Sequence, residues 1–255
     1  MDRASVIGLV LGIAAVVGGT LFEGGKIASI MQPTAALIVF GGTAGATFLS
    51  YSFRDILKAI AALAAVVRDR GPDPDDYIDE ILRYSNIARK NGLVALDLEI
   101  QRIEDDYLRK AMTFAVDRLS PRTIRETMEQ ENITFELQQR RVARVFETAG
   151  GFAPTIGILG AVLGLIQVME NLSDPAKLGA GIAVAFVATI YGVGSANLIL
   201  IPISKKLVLR MQRDLSVREM IIEGVIGIQS GANPHYLRER LKVHFEETIS
   251  RPGRG

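Results

Sequence analysis

A chain of 255 residues with a net charge of +1 carries no basic footprint for a nucleic acid or other polyanion. It has no cysteine, which excludes disulfides and thiolate metal sites, and its two histidines, His235 and His244, are too few for a histidine-built metal centre. With 49% hydrophobic against 22% charged residues, it must hold apolar surface that faces something other than water.

The first element is an uncharged run over residues 4–22. Arg3 flanks it as in a signal peptide, but the run is longer than an h-region and no small-x-small site follows before Glu23, so a retained helix is expected. A short connection, EGGKIAS, leads to a second uncharged run over residues 32–53. FRDILKAIAALAAVV then continues from that run as an amphipathic stretch, and GPDPDD breaks it. Asp73 is a good N-cap, with Pro74 at the first helical position and Asp75 and Asp76 in the positive-dipole first turn. This helix is expected to reach about Lys90 and stop at Asn91-Gly92. A further helix is expected over about residues 96–119. Ser120-Pro121 starts another, directed by Ile124, Met128, Phe135, Val142 and Val145 toward a third uncharged run over residues 148–169.

That third run contains GFAPTIGILGAVLG, which puts Pro154 and several glycines in an apolar segment where a soluble helix would lose about 1 kcal/mol per Gly and about 3 per Pro. ENLSDPAK links it to the fourth run, residues 178–204, which carries Pro202 near its end. A tail helix past Gln229, the segment SGANP and a short charged helix from Pro234 complete the chain, and no strand is expected.

Runs of about 20 apolar residues match the ~30 Å hydrocarbon core of a bilayer. The expected fold is therefore an all-α integral membrane protein with four transmembrane helices and a helical cytoplasmic insert. Its expected parts are a first hairpin over residues 1–53, the insert over 54–147, a second hairpin over 148–204 and a cytoplasmic tail over 205–255. Arg54, Lys58, Arg68, Arg140, Arg141, Arg144, Lys205, Lys206, Arg210 and Arg213 flank the insert and tail ends of the runs, whereas the opposite connections hold only Lys26 and Lys177. The positive-inside rule places both termini and the insert in the cytoplasm.

Gly8/Gly12, Gly41/Gly45 and Gly160/Gly164 are spaced four apart, and Ala185, Thr189, Gly192 and Ala196 share a helix face. Such stripes bring helices close in lipid, mostly within this chain and partly against another. No run contains Asp, Glu, Lys, Arg or His; the polar groups are Thr43, Thr47, Thr155, Gln167, Thr189, Ser195 and Asn197. A proton or cation path needs an ionisable group at depth, so another chain would have to supply it. Pro154 fits the first turn of a helix and Pro202 a kinked helix end, and both also fit hinges.

FAPTIGILGAVLGLIQVM, AVAFVATIYGVGSANLILIPISKKL, EGVIGIQSGANP and IARKNGLVALD, with the hairpin–insert–hairpin plan, resemble the MotA family of flagellar stator ion-channel subunits over nearly the whole chain. The second hairpin is shared with the ExbB and TolQ group. The resemblance implies a ring of five copies around two copies of MotB, a single-span protein with a peptidoglycan-binding domain and the ion-carrying aspartate. It implies a bacterial inner-membrane protein that is not an enzyme, needs no cofactor and pushes the rotor switch protein FliG. By local match, Pro154 and Pro202 correspond to prolines of torque and conformational coupling, and Thr189 to a channel-lining threonine. Arg89 and Asp97 correspond to the rotor-facing charges, with Glu99 as the alternative acid. Many relatives carry an acid where this chain has Gly151; the nearest here is Glu147. Sodium-driven relatives tend to carry a second threonine where this chain has Ala161, and Thr155 lies nearly two turns away, so a transported proton is expected rather than sodium. The alternatives are an ExbB/TolQ-like or defence-system motor with a different partner, and a non-conducting membrane scaffold.

Overall fold

The computed structural model describes residues 3–67, 73–173 and 175–250, with side chains for 6–64, 73–173 and 178–246. The side chains of Arg3 and Lys177, the whole of Arg68, the Gly71-Pro72 half of the expected break and residues 251–255 of the tail lie outside these limits. The described residues are nearly all helical and hold no strand. In chain order they form α1 (Arg3–Phe22), α2 (Ile27–Ile30), α3 (Pro33–Ala36) and α4 (Gly42–Ser50), with a π turn at Leu37–Gly41 joining the last two. Then come α5 (Phe53–Val67), α6 (Pro74–Asn91), a three-ten turn at Leu93–Leu96, α7 (Asp97–Ile100) and α8 (Asp106–Val116). The rest is α9 (Pro121–Glu170), α10 (Pro175–Ser195), a π turn at Ala196–Leu200, α11 (Ile201–Gln229) and α12 (Pro234–Ser250).

The stretches Pro33–Ser50, Pro121–Glu170 and Leu178–Gln229 are long and apolar enough to cross a membrane, with mean hydropathies of 1.3, 1.9 and 1.9 over their most apolar windows. Within the residues whose side chains are described, α1 contributes an apolar stretch over Val6–Phe22, about 26 Å by the helical rise.

Several expectations needed correction. The amphipathic helix α5 does not continue from the second run: Tyr51 is extended (φ −131°, ψ 153°), and Ser52 Oγ accepts the Asp55 N–H at 3.3 Å to start a new helix. The single helix expected over residues 96–119 is three pieces. Asp105 Oδ1 accepts the Leu108 N–H at 2.7 Å, so α8 begins with its own N-cap after an irregular step. Pro154 is not in a first turn; it lies deep inside the unbroken 50-residue α9. The ends of α6 fall where expected, with Asp73 accepting from the Asp75 N–H at 3.2 Å and Gly92 taking φ 83° beyond Asn91.

The chain divides into two compact units, and α9 and α11 contribute to both. The first, residues 1–69 and 140–208, is built on the α9–α10 seam. A Cβ at Gly157 would lie 2.8 Å from the Ala188 carbonyl, and one at Gly164 would lie 2.8 Å from the Ala185 nitrogen. The two backbones therefore touch, as small residues permit in lipid. Gly160 and Gly164 thus pack within the chain, whereas Gly8 and Gly45 face open space. Tyr191 stacks on Phe40 at 5.6 Å, donates to the Ile30 carbonyl at 2.6 Å and accepts the Gln32 N–H at 3.3 Å. Tyr51 binds the Arg144 carbonyl at 3.1 Å and Thr148 Oγ1 at 2.7 Å.

The second unit, residues 70–139 and 209–255, has a core that includes Ile81 and Tyr84 of α6, Leu108 and Met112 of α8, and Met128 of α9. Ile221 and Val225 of α11 and Leu237 of α12 complete it. Arg218 is held between the rings of Tyr107 at 4.4 Å and Phe135 at 4.0 Å.

Candidate functional site

The candidate residues fall into two groups, one in each unit. In the first unit, Thr155 is exposed on α9 and donates to the Phe152 carbonyl at 2.8 Å. Thr189 is half-buried on α10 and donates to the Ala185 carbonyl at 3.3 Å. Each hydroxyl therefore spends its proton on its own helix and presents only lone pairs outward, which suits accepting from water or contacting a cation. Ala161 is half-buried, six residues beyond Thr155 and about 9 Å along the axis, and offers no oxygen of its own side chain. Gly151 shares the exposed face of Thr155, four residues before it, so no carboxylate stands there.

The prolines are handled differently. Pro154 denies its N–H to the Gly150 carbonyl without a π turn, and the backbone of α10 closes on it: a Cβ at Gly192 would lie 3.2 Å from Pro154 Cα. Pro202 is exposed and directly follows the π turn, in which the Ile201 N–H bonds five residues back to the Ala196 carbonyl. A π turn is a common way to seat an interrupted hydrogen-bond ladder, and such turns recur at functional positions.

In the second unit, Arg89 is exposed in the last turn of α6 and Asp97 is exposed at the start of α7. Neither forms an ion pair among the described residues. Glu99 is different: it is bound by Arg83 at 3.1 Å and Arg102 at 3.2 Å. Burial opposes the Arg83 cation, but its hydrogen bond to Tyr84 and the nearby Glu99 and Glu80 more than offset this and its pKa is raised. Burial, with donation to Glu80 Oε1 at 2.6 Å, pushes Tyr84 up to about 12.

Sequence reasoning missed three features. Val94 and Leu98, 64% and 75% exposed, stand between and beside Arg89 and Asp97, and only their position next to the Gly92 helix end could have flagged them. The Tyr191 bonds carried no spacing signal at all. The tie from Arg83 to Glu99 crosses sixteen residues and a turn.

Two family models match most of the chain. Residues 6–92 match the motility protein A N-terminal region, and residues 99–220 match the MotA/TolQ/ExbB proton channel family. A Bacillus subtilis relative described as "Uncharacterized protein YtxD" is 34% identical over 95% of this chain and 90% of its own. Motility protein A of Bacillus subtilis is 30% identical over 96% of this chain and 91% of its own. The solved structure described as "Structure of C. jejuni MotAB" superposes with a TM-score of 0.91 at 31% identity and covers 96% of both chains. With likeness of this kind over nearly its whole length, the chain belongs to the MotA/TolQ/ExbB proton channel family.

Proposed function

We propose that this chain is the ion-channel and torque-generating subunit of a flagellar stator, which assembles as a ring and conducts with a MotB-like single-span partner. The observation that carries the reading is the match of 96% of the chain, membrane runs and insert together, to the C. jejuni MotAB structure at a TM-score of 0.91. The lack of Asp, Glu, Lys, Arg and His in the four apolar runs supports a titrating acid on the partner.

In this reading α1 also spans the membrane and brings the spans to four, both termini are cytoplasmic, and the membrane is the bacterial inner membrane. Five copies surround two of the partner. Thr189 and Thr155 line the path with lone pairs, and Ala161 leaves too few oxygens for sodium, so the ion is a proton. Pro154 and Pro202 couple conformation to ion passage. Arg89 and Asp97 meet FliG, while Glu99, held by two arginines, keeps the turn between them in place. The test is purification with and without the adjacent single-span protein, followed by proton flux in liposomes, and expression in a stator-deleted cell. Flux only with the partner, together with restored swimming, supports the reading. Flux without swimming would point to an ExbB/TolQ-like motor, and no flux in either preparation would point to a scaffold.

A further inference from the structure

The segment EGVIGIQSGANP, residues 223–234, has no part in the ion path or the rotor contact, yet it makes a concentrated set of contacts in the second unit. Glu223 is buried on α11, at 7% exposure, between two arginines: Arg125 of α9 binds Oε1, and Arg240 of α12 binds Oε2 at 2.6 Å. One residue on, a Cβ at Gly224 would lie 2.8 Å from Ile81 Cδ1, so α11 lies directly against α6. A Cβ at Gly227 would lie 2.6 Å from Leu237 Cδ1, which seats α12 on the same helix. Gln229 donates to the Leu119 carbonyl at 2.6 Å and holds the turn after α8. Asn233 accepts the His235 N–H at 2.9 Å and starts α12, whose Arg238 reaches Asp79 of α6 at 2.6 Å.

Two of these contacts, Gly224 on Ile81 and Arg238 on Asp79, reach α6 itself, and the others bind α9, α11, α12 and the turn after α8 to one another. Ile81 is two turns before Arg89 on that helix, so the seat beneath Ile81 sets where Arg89 is presented. We propose that this segment is the seat of the rotor-facing helix and that Glu223 is its positioning residue, ordering α9, α11 and α12 around one carboxylate so that α6 cannot tilt under load. This rests on the reading of Arg89 as a rotor contact.

The experiment uses the full chain with its partner in membranes. Glu223→Gln keeps the shape and removes the charge, and its two arginines are exposed enough to be hydrated (40% and 47%). Proton flux and ring assembly should match wild type, and stall torque should fall. Amide exchange over residues 74–91 should quicken by about tenfold, the lower end of what a lost charge-assisted hydrogen bond brings. In an Arg89→Glu background the added Glu223→Gln should cost no further torque, because both act through one contact. Unchanged exchange over residues 74–91, additive torque losses, or flux falling in step with torque would each overturn the proposal. Should Glu223→Gln not assemble, Gly224→Ala displaces Ile81 without touching charge; it should lower torque, and Ile81→Ala should rescue it. Absence of that rescue counts against the seat. If Arg89→Glu alone keeps full torque, the rotor-contact reading fails, and exchange over residues 74–91 still decides whether the seat exists.

Discussion

Gly192 and Pro154 face each other across the α9–α10 seam so closely that a Cβ on the glycine would lie 2.5 Å from the Ala153 carbonyl and 3.2 Å from Pro154 Cα. Backbone atoms cannot swing aside as a side-chain tip can. Gly192→Ala should therefore cost about 1–3 kcal/mol as an overpacked contact. Gly45→Ala, which meets nothing within 4 Å, should leave the isolated subunit's packing unaltered. Thermal unfolding of the two purified variants compares them directly, and equal midpoints would mean that the seam is looser than described.

The two prolines should separate. Pro154→Ala restores an N–H inside an unbroken helix, and Pro202→Ala restores one beside a π turn that already bypasses the gap. Both variants are expected in the membrane at normal levels with slowed rotation. Pro202→Ala should also raise the exchange protection of residues 196–203, as the turn reverts to regular helix. Bead-assay speed and exchange measure the two effects, and loss of either variant from the membrane would make its proline structural.

Charge reversal at Arg89 should reduce torque and leave conductance unchanged, because an exposed charge at a contact acts mainly through steering and register. Asp97→Arg should behave alike. Glu99→Gln should behave differently: it frees Arg83 and Arg102 and should act through disorder of the α6–α7 turn. Torque at high load in low salt, beside flux in liposomes, distinguishes the cases; full torque for Arg89→Glu would exclude the contact.

The proposed proton coupling rests on Ala161 carrying no side-chain oxygen. Replacing external sodium by potassium at fixed pH should leave motor speed unchanged. Speed that follows sodium would show that other oxygens complete a cation shell.

Alkaline pH should loosen the second unit. Tyr84 rises to about 12 through burial and its bond to Glu80, and burial also raises Tyr77 and Tyr107. A raised phenol favours the folded state while protonated, so its contribution is complete below pH 10 and is lost as pH climbs through 12. Absorbance at the phenolate band should show these three tyrosines ionising late, together with unfolding; early ionisation without unfolding would contradict the burial.

Helix ends were legible where the chemistry is local. Asp73-Pro74 and Asn91-Gly92 mark α6 because a side-chain acceptor and a left-handed residue act within one turn. The break before α8 was not legible. Leu96, Ile100, Ile103, Tyr107 and Ala111 keep a helical spacing straight through it, because one core buries them all, while Asp105 restarts the helix locally. Pro154 misled because the rule that confines proline to a first turn counts a lost N–H and a ring clash, both of which a membrane helix tolerates where a neighbouring helix packs against it, as the α10 backbone at Gly192 does against Pro154 Cα. Of the three charges proposed to face the rotor, spacing could not tell that Glu99 is engaged, since Arg83 lies sixteen positions away.

Tyr191 gives one phenol oxygen to two backbone groups, the Ile30 carbonyl and the Gln32 N–H, where the chain leaves helical geometry in an apolar unit. Its position thus admits almost a single letter of the alphabet. Serine and threonine are too short to reach, and phenylalanine keeps the stack on Phe40 but strands both groups, at about 1–3 kcal/mol each. A substitution that removes a single oxygen and keeps the ring is therefore among the least exchangeable in this half of the molecule.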